Sequence, residues 1–88
     1  MSQAFKPLRY THHAEIAIRE RELQPEWIEV TVRHPEWQMP DEQQPDVERR
    51  FRAIPENDGR VLRVACLETP SEIRILTAFF DRRARPPQ

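Results

Sequence analysis

Three polar side chains that could take part in chemistry lie on the apolar side of a predicted helix near the start of the chain. At about 100° per residue, His13, Glu20 and Arg21 share one arc with Ile16 and Ile18. An imidazole and a carboxylate can transfer protons, and a guanidinium can hold an anion. A polar group removed from water needs a partner or costs free energy. The three residues therefore belong either to a structural network or to the edge of a site.

The elements that position this arc follow from capping residues, chain breakers and periodicity. Thr11 is a suitable N-cap for the first helix, which we expect to end near residues 22–23. Pro25 opens a second helix, and Pro35 stops it. Helices of this length need an apolar partner surface, which the rest of the chain must supply.

The remaining segments have the alternating or continuous apolar patterns of β-strands. The predicted strands are residues 37–40, 47–54, 60–68 and 72–80, and residues 5–10 form a short strand or an extended lead-in. The Asp58-Gly59 pair predicts a tight hairpin. We therefore expect an α+β domain in which two helices pack on one face of a three- to four-stranded antiparallel sheet.

Length and charge limit the possible organisation and partners. The 88 residues allow one domain, which we place at residues 1–83, followed by a disordered tail at residues 84–88. The net charge of −1 gives no general preference for nucleic acid, although residues 47–88 alone carry nine arginines against six acidic residues. The single glycine excludes a glycine-rich phosphate loop.

Cysteine usage and hydropathy predict a compartment. Cys66 is the only cysteine, so the chain cannot form an internal disulfide, and its apolar surroundings predict a buried, inert thiol. No apolar run approaches the roughly 20 residues of a membrane helix, and no signal segment is apparent at the N-terminus. We therefore expect a cytoplasmic protein without a membrane partner.

Several short motifs resemble an uncharacterised bacterial domain family. They are His13-Ala14, Glu20-Arg21, His34-Pro35-Glu36, Gly59–Val64 and Ile75–Phe79. Their order and spacing are similar to those of the family from about Tyr10 to Arg83. That family is in turn similar in size and element order to BrnT-like toxins of the RelE/ParE type. Those toxins are small ribonucleases, or gyrase poisons in the ParE branch, which an antitoxin holds inactive.

The resemblance implies a toxin-like endoribonuclease that needs no metal or other cofactor. The implied partners are an antitoxin protein and RNA or the ribosome, whereas the oligomeric state is not indicated. Such cleavage needs a base for the 2′-hydroxyl proton, an acid for the leaving oxygen and cations for the phosphorane. The expected catalytic residues are His13, Glu20, Arg21, Arg63 and Thr77, and the expected substrate-binding residues are Arg74, Arg82 and Arg83.

A purely structural role for the same residues stays open. Arg63 lies in an otherwise apolar strand and needs a carboxylate partner or a ligand. Glu20 is the candidate partner, and His13 would then bond a strand backbone. A metal site is disfavoured because the adjacent His12 and His13 point about 100° apart on a helix.

The alternative function is a non-catalytic protein-binding module of the same fold. Ala17 occupies a position where the family pattern has arginine, so one cation of the expected site is missing. Phe79 and Phe80 point to opposite faces of their strand, so one of them can be exposed to a partner.

Overall fold

The fold consists of two helices and one five-stranded sheet. The computed structural model describes residues 6–87. In chain order the elements are β1 (Leu8–Tyr10), α1 (His12–Glu20), α2 (Pro25–Arg33), β2 (Trp37–Pro40), β3 (Glu48–Ile54), a 3-10 turn (Pro55–Asn57), β4 (Arg60–Glu68) and β5 (Ile73–Phe80). The strands form one sheet in the order β1-β5-β4-β3-β2.

The helix ends follow from local chemistry. The Oγ1 atom of Thr11 accepts a hydrogen bond from the Ala14 N–H at 3.1 Å, which confirms the predicted N-cap of α1. The helix ends at Glu20, slightly earlier than expected, and Glu22 takes a left-handed conformation with φ of 54°. Pro25 begins α2 as predicted.

The hairpin between β3 and β4 forms where the sequence predicts it. Asp58 and Gly59 both have positive φ, at 58° and 69°. Only glycine adopts this conformation without steric cost, and aspartate tolerates it better than most residues. The turn therefore sets β3 and β4 side by side in an antiparallel register.

Both helices cover the same face of the sheet. On β4, Leu62, Val64 and Cys66 are fully buried and belong to the core under the helices. From α1, Ala14 and Ala17 are buried, and their small side chains allow the helix to lie close to β5. Within residues 6–87 no helix contributes to the opposite surface of the sheet, which we call the open face.

The α+β class is as predicted, but the sheet is larger than expected and mixed. Leu8–Tyr10 forms an additional strand that runs parallel to β5, whereas the other neighbours are antiparallel. Leu8 and Tyr10 pack against the core, so burial of alternate side chains draws this segment into the sheet. The expected start of the segment at Phe5 lies outside the described residues.

The chain after β5 has no regular secondary structure. A turn at Arg82 and Arg83 follows the strand, and the chain then continues to Pro87. The last residue of the expected tail, Gln88, lies outside the described residues. No helix among residues 6–87 is long and apolar enough to cross a bilayer.

Candidate functional site

The last two residues of β5 place aromatic rings on both sides of the sheet, as predicted. Phe80 lies on the helix side, where its ring meets that of Trp27 edge-on at 5.7 Å. Phe79 lies opposite Arg63 on the open face and is half-buried. The C-terminal end of β5 therefore offers an aromatic surface on either side.

Three arginines surround this aromatic pair. The Cζ atom of Arg63 lies 5.0 Å from the centre of the Phe79 ring, and that of Arg21 lies 6.0 Å from the same ring. The Cζ atom of Arg60 lies 4.8 Å from the centre of the Phe80 ring. Each distance is within the range of a cation–π contact. We call Arg21, Arg60, Arg63, Phe79 and Phe80 the Phe79 site.

Arg21 reaches the site around the edge of the sheet. Its backbone N–H bonds the Ala17 carbonyl and ends α1, so its side chain leaves the helix beside β5. Because β1 pairs only with Ile73–Ile75, the following half of β5 has no neighbouring strand on that side among residues 6–87. The Arg21 Nη1 atom donates to the Ala78 carbonyl at 3.4 Å and thereby covers part of this edge.

Arg63 is positioned by the alternation of β4. Since Leu62 and Val64 point toward the helices, Arg63 must point to the open face. There its Nη1 atom lies 3.2 Å from Asp81 Oδ2, and the two side chains are 24% and 16% exposed. The expected Arg63–Glu20 pair is therefore wrong, because the two residues belong to opposite sides of the sheet.

A cleft of about 630 Å³ opens between the end of α1 and the end of β5. Arg21, Arg60, Phe79 and Phe80 contribute to its walls. Neither Arg21 nor Arg60 forms an ion pair with any residue in the described range 6–87. Glu22 also lines the cleft, which leaves one positive charge in excess. Guanidinium groups without an ion pair beside aromatic rings can hold an anion that carries a planar group.

The structure does not bring His13 or Glu20 into this cleft. Both are exposed on α1, and neither makes a side-chain hydrogen bond or ion pair within the described chain. The buried stripe of α1 is centred on Ala14 and Ala17, which places His13 and Glu20 roughly 100° to one side. The helical wheel placed the buried arc incorrectly because it included Ile16, which is only half-buried and lies outside the core.

The other expected site residues are distributed along the sheet. Thr77 is half-buried on the open face, opposite Ala65. Arg74 is exposed and bonds the Glu72 carboxylate at 2.9 and 3.2 Å, the strand-edge pair that its position suggests. Arg82 and Arg83 are exposed in the turn after β5. Of the eight expected residues, the Phe79 site thus contains Arg21 and Arg63.

Sequence reasoning missed two residues of this region. Arg60 reads as the first residue of a strand, and Asp81 reads as the residue that follows the last strand. The Asp81 N–H donates to the Val61 carbonyl at 2.9 Å, so the ladder between β4 and β5 continues one residue further. The alternation of β4 was the available signal, because it excludes any partner of Arg63 on the helix side.

Other reactive groups lie apart from the cleft. Cys66 is fully buried, and burial raises the pKa of its thiol to about 11. Within residues 6–87 no group of three or more His, Cys, Asp or Glu side chains could hold a metal ion. The Trp37 Nε1 atom is buried and has no hydrogen-bond partner in the part of the chain that the structure describes.

Comparison with protein-family models, with curated proteins and with solved structures gives no match to the chain. The similarity to BrnT-like toxins therefore rests on the sequence motifs alone and stays a prediction.

Proposed function

We propose that the protein binds RNA at the Phe79 site and acts as a toxin-like endoribonuclease that an antitoxin partner restrains. The observation that carries the proposal is the pair of unpaired arginines, Arg21 and Arg60, in one cleft beside Phe79. Phosphate supplies the anion that the guanidinium groups lack, and a base supplies a planar face for the ring.

Cleavage of RNA at this site would follow the usual transesterification. The 2′-oxygen attacks the adjacent phosphorus, its proton passes to a base, and the 5′-oxygen leaves with a proton from an acid. The products are a 2′,3′-cyclic phosphate and a 5′-hydroxyl. Asp81, held 3.2 Å from Arg63, is our candidate base, and Arg63 would stabilise the phosphorane. Because His13 and Glu20 lie on α1, on the other side of the sheet, the proton for the 5′-oxygen would come from water.

Binding tests the first part of the proposal. Arg21→Ala combined with Arg60→Ala should weaken binding of a fluorescent single-stranded RNA about tenfold or more, measured by anisotropy. Arg9→Ala combined with Arg74→Ala is the matched control, because it also removes two exposed arginines and both of them already pair with Glu72. Equal loss in both variants would show that only general charge matters and would contradict the site.

Cleavage tests the second part. Asp81→Asn should lower the rate of RNA cleavage by about 10²- to 10⁴-fold while RNA binding persists. The 2′,3′-cyclic phosphate at the new end should be detectable by mass spectrometry. Induced expression in a bacterial host should arrest growth, and the same substitution should relieve the arrest. Normal growth while folded wild-type protein accumulates would count against a toxin.

A second candidate function is a non-catalytic protein-binding module. It is favoured by the exposed positions of His13 and Glu20, which leave acid–base groups of α1 away from the cleft. It is also favoured by the half of β5 that has no strand neighbour within the described part of the chain, because such an edge can accept a strand from a partner. A chain that changes size only when a partner protein is added, and that leaves RNA intact, would support this function.

A further inference from the structure

One row of side chains crosses the open face from edge to edge. Trp37 lies opposite Phe51, Phe51 opposite Arg63, and Arg63 opposite Phe79, on four successive strands. Neighbouring strands are about 4.8 Å apart, so the row is roughly 14 Å long. The Trp37 and Phe51 rings are stacked, with centroids 4.8 Å apart and planes inclined by 5°. An aromatic surface therefore lies at each end of the row, with a guanidinium between them.

A second cleft lies at the Trp37 end of this row. Its volume is about 240 Å³, and the C-terminal segment forms one wall. Four arginines contribute to the walls, and Asp81 is the one acidic residue that does so. These arginines are Arg49, Arg63, Arg83 and Arg85. Asp41 compensates part of this charge, since its Oδ1 atom lies 3.1 Å from Arg49 Nε.

We infer that single-stranded RNA crosses the strands along this row, with one base at Phe79 and another at the exposed side of Trp37. This inference rests on the proposed function, because it assigns the substrate class and adds a second subsite to the same face. Phosphates between the two bases would lie near Arg63, Arg49 and the arginines of the C-terminal segment. A row of roughly 14 Å corresponds to about three nucleotides of extended RNA.

The chemistry of the row favours a single strand over other polyanions. A duplex hides the faces of its bases, so it cannot use aromatic platforms at both ends. An acidic peptide matches the arginines but has planar groups only where it carries aromatic residues, whereas every nucleotide carries one. A single strand of RNA supplies both phosphates and accessible base faces.

The fluorescence of Trp37 provides the test. In a Trp27→Phe variant, Trp37 is the only tryptophan of the chain, and single-stranded RNA should quench its emission. The affinity should rise steeply as the RNA lengthens to about three nucleotides and then level off, and duplex RNA should not compete. If saturating single-stranded RNA does not quench the Trp37 emission, the inference is wrong.

Substitutions separate this subsite from the Phe79 site. Trp37→Ala should weaken RNA binding about 5- to 100-fold, whereas Trp37→Phe should retain most of it. Arg83→Ala combined with Arg85→Ala leaves the sheet intact and should weaken binding and reduce its salt dependence. If these variants bind normally while Arg21→Ala with Arg60→Ala does not, the second subsite is wrong and the proposed function survives. If none of these substitutions affects binding, including Arg21→Ala with Arg60→Ala, both proposals fail.

Discussion

Arginine side chains on the two faces of the sheet differ in the number of partners that they have within the protein. On the helix side, Arg50 is 7% exposed, and its guanidinium donates to the Val32 carbonyl and to both Glu48 and Glu68 at 2.7–3.1 Å. Burial lowers the pKa of Arg50, but the hydrogen bonds that Arg50 donates to Glu68 and Glu48 outweigh it, so the pKa is raised overall. On the open face, Arg63 has a single carboxylate partner.

This difference separates an arginine that holds the fold together from arginines that can bind a ligand. A buried cation must have its partners within the protein, because no water replaces them. Arg21 and Arg60 lie at the surface, where water solvates them without a carboxylate. Only an arginine that is solvated by water can exchange that water for a phosphate. The comparison therefore separates Arg50, which stabilises the covered face, from Arg21 and Arg60, which remain able to bind an anion.

The largest expected effect concerns two leucines of β4 that point to opposite faces. Leu62→Ala should lower the free energy of unfolding by about 2–5 kcal/mol, because the side chain is fully buried. Leu67→Ala should lower it by about 1 kcal/mol or less, because Leu67 is only half-buried on the open face. Urea unfolding measures both. Equal losses would remove the distinction between the faces.

The next effect compares arginines of the two faces. Arg50→Met leaves the Val32 carbonyl and two carboxylates without their donor, so we expect a loss of about 2 kcal/mol. The loss stays below that for a fully buried pair, because the Glu48 and Glu68 side chains are each 39% exposed. Arg63→Met should cost less than about 1 kcal/mol in the same urea experiment. The reverse order would assign the structural role to the open face.

A smaller effect is expected from acid. Hydrogen bonds from Lys6 and Arg50 lower the pKa of Glu68 in the folded protein below its ordinary 4.5. Stability from this group is therefore present above pH 4.5 and is lost as the pH falls through the lower folded value. Glu68→Gln should reduce this acid sensitivity. The remaining acid sensitivity should come from Asp41, because hydrogen bonds from the Gln43 N–H and from Arg49 lower the pKa of this carboxyl.

The free energy of unfolding of wild type and of Glu68→Gln, measured at pH 7 and at several values below pH 4.5, tests this acid sensitivity. Glu26→Gln is the control, because Glu26 is exposed and forms no ion pair within the described residues. An acid slope that is the same in Glu68→Gln and wild type would show that the network under the helices does not depend on this carboxylate.

The smallest effect concerns the thiol of the covered face. With a pKa of about 11, Cys66 should react with a thiol reagent very slowly at pH 8 in the folded protein. In concentrated urea the same thiol should react fully and fast. Rapid labelling of the folded protein would mean that this part of the core opens readily.

Local structure was predictable because its causes are local. Thr11 accepts from a backbone N–H three residues later, and Asp58-Gly59 permits the positive φ of a tight turn, so neither depends on distant residues. The parallel strand at Leu8–Tyr10 was harder to predict. Its partner, Ile73–Ile75, lies more than 60 residues away in sequence, and three residues carry too short a pattern.

The candidate site was only partly predictable for the same reason. The sequence indicates that the cations Arg21 and Arg63 need a partner or a ligand, and the guanidinium groups of both lie close to the Phe79 ring. It cannot show that Glu20 and Arg63 belong to opposite faces unless the strand alternation is applied to every residue of β4. It also cannot show that Asp81 continues the ladder, because that depends on a hydrogen bond to Val61.

By itself, the sequence determined the α+β class, the positions of both helices and four of the strands, and the burial of Cys66. These properties follow from capping, periodicity and hydropathy over a few neighbouring residues. Only the tertiary structure decided which arginines are neutralised and which remain available. That outcome depends on cross-strand register, which placed Trp37, Phe51, Arg63 and Phe79 in one row although they are distributed over more than 40 residues of chain.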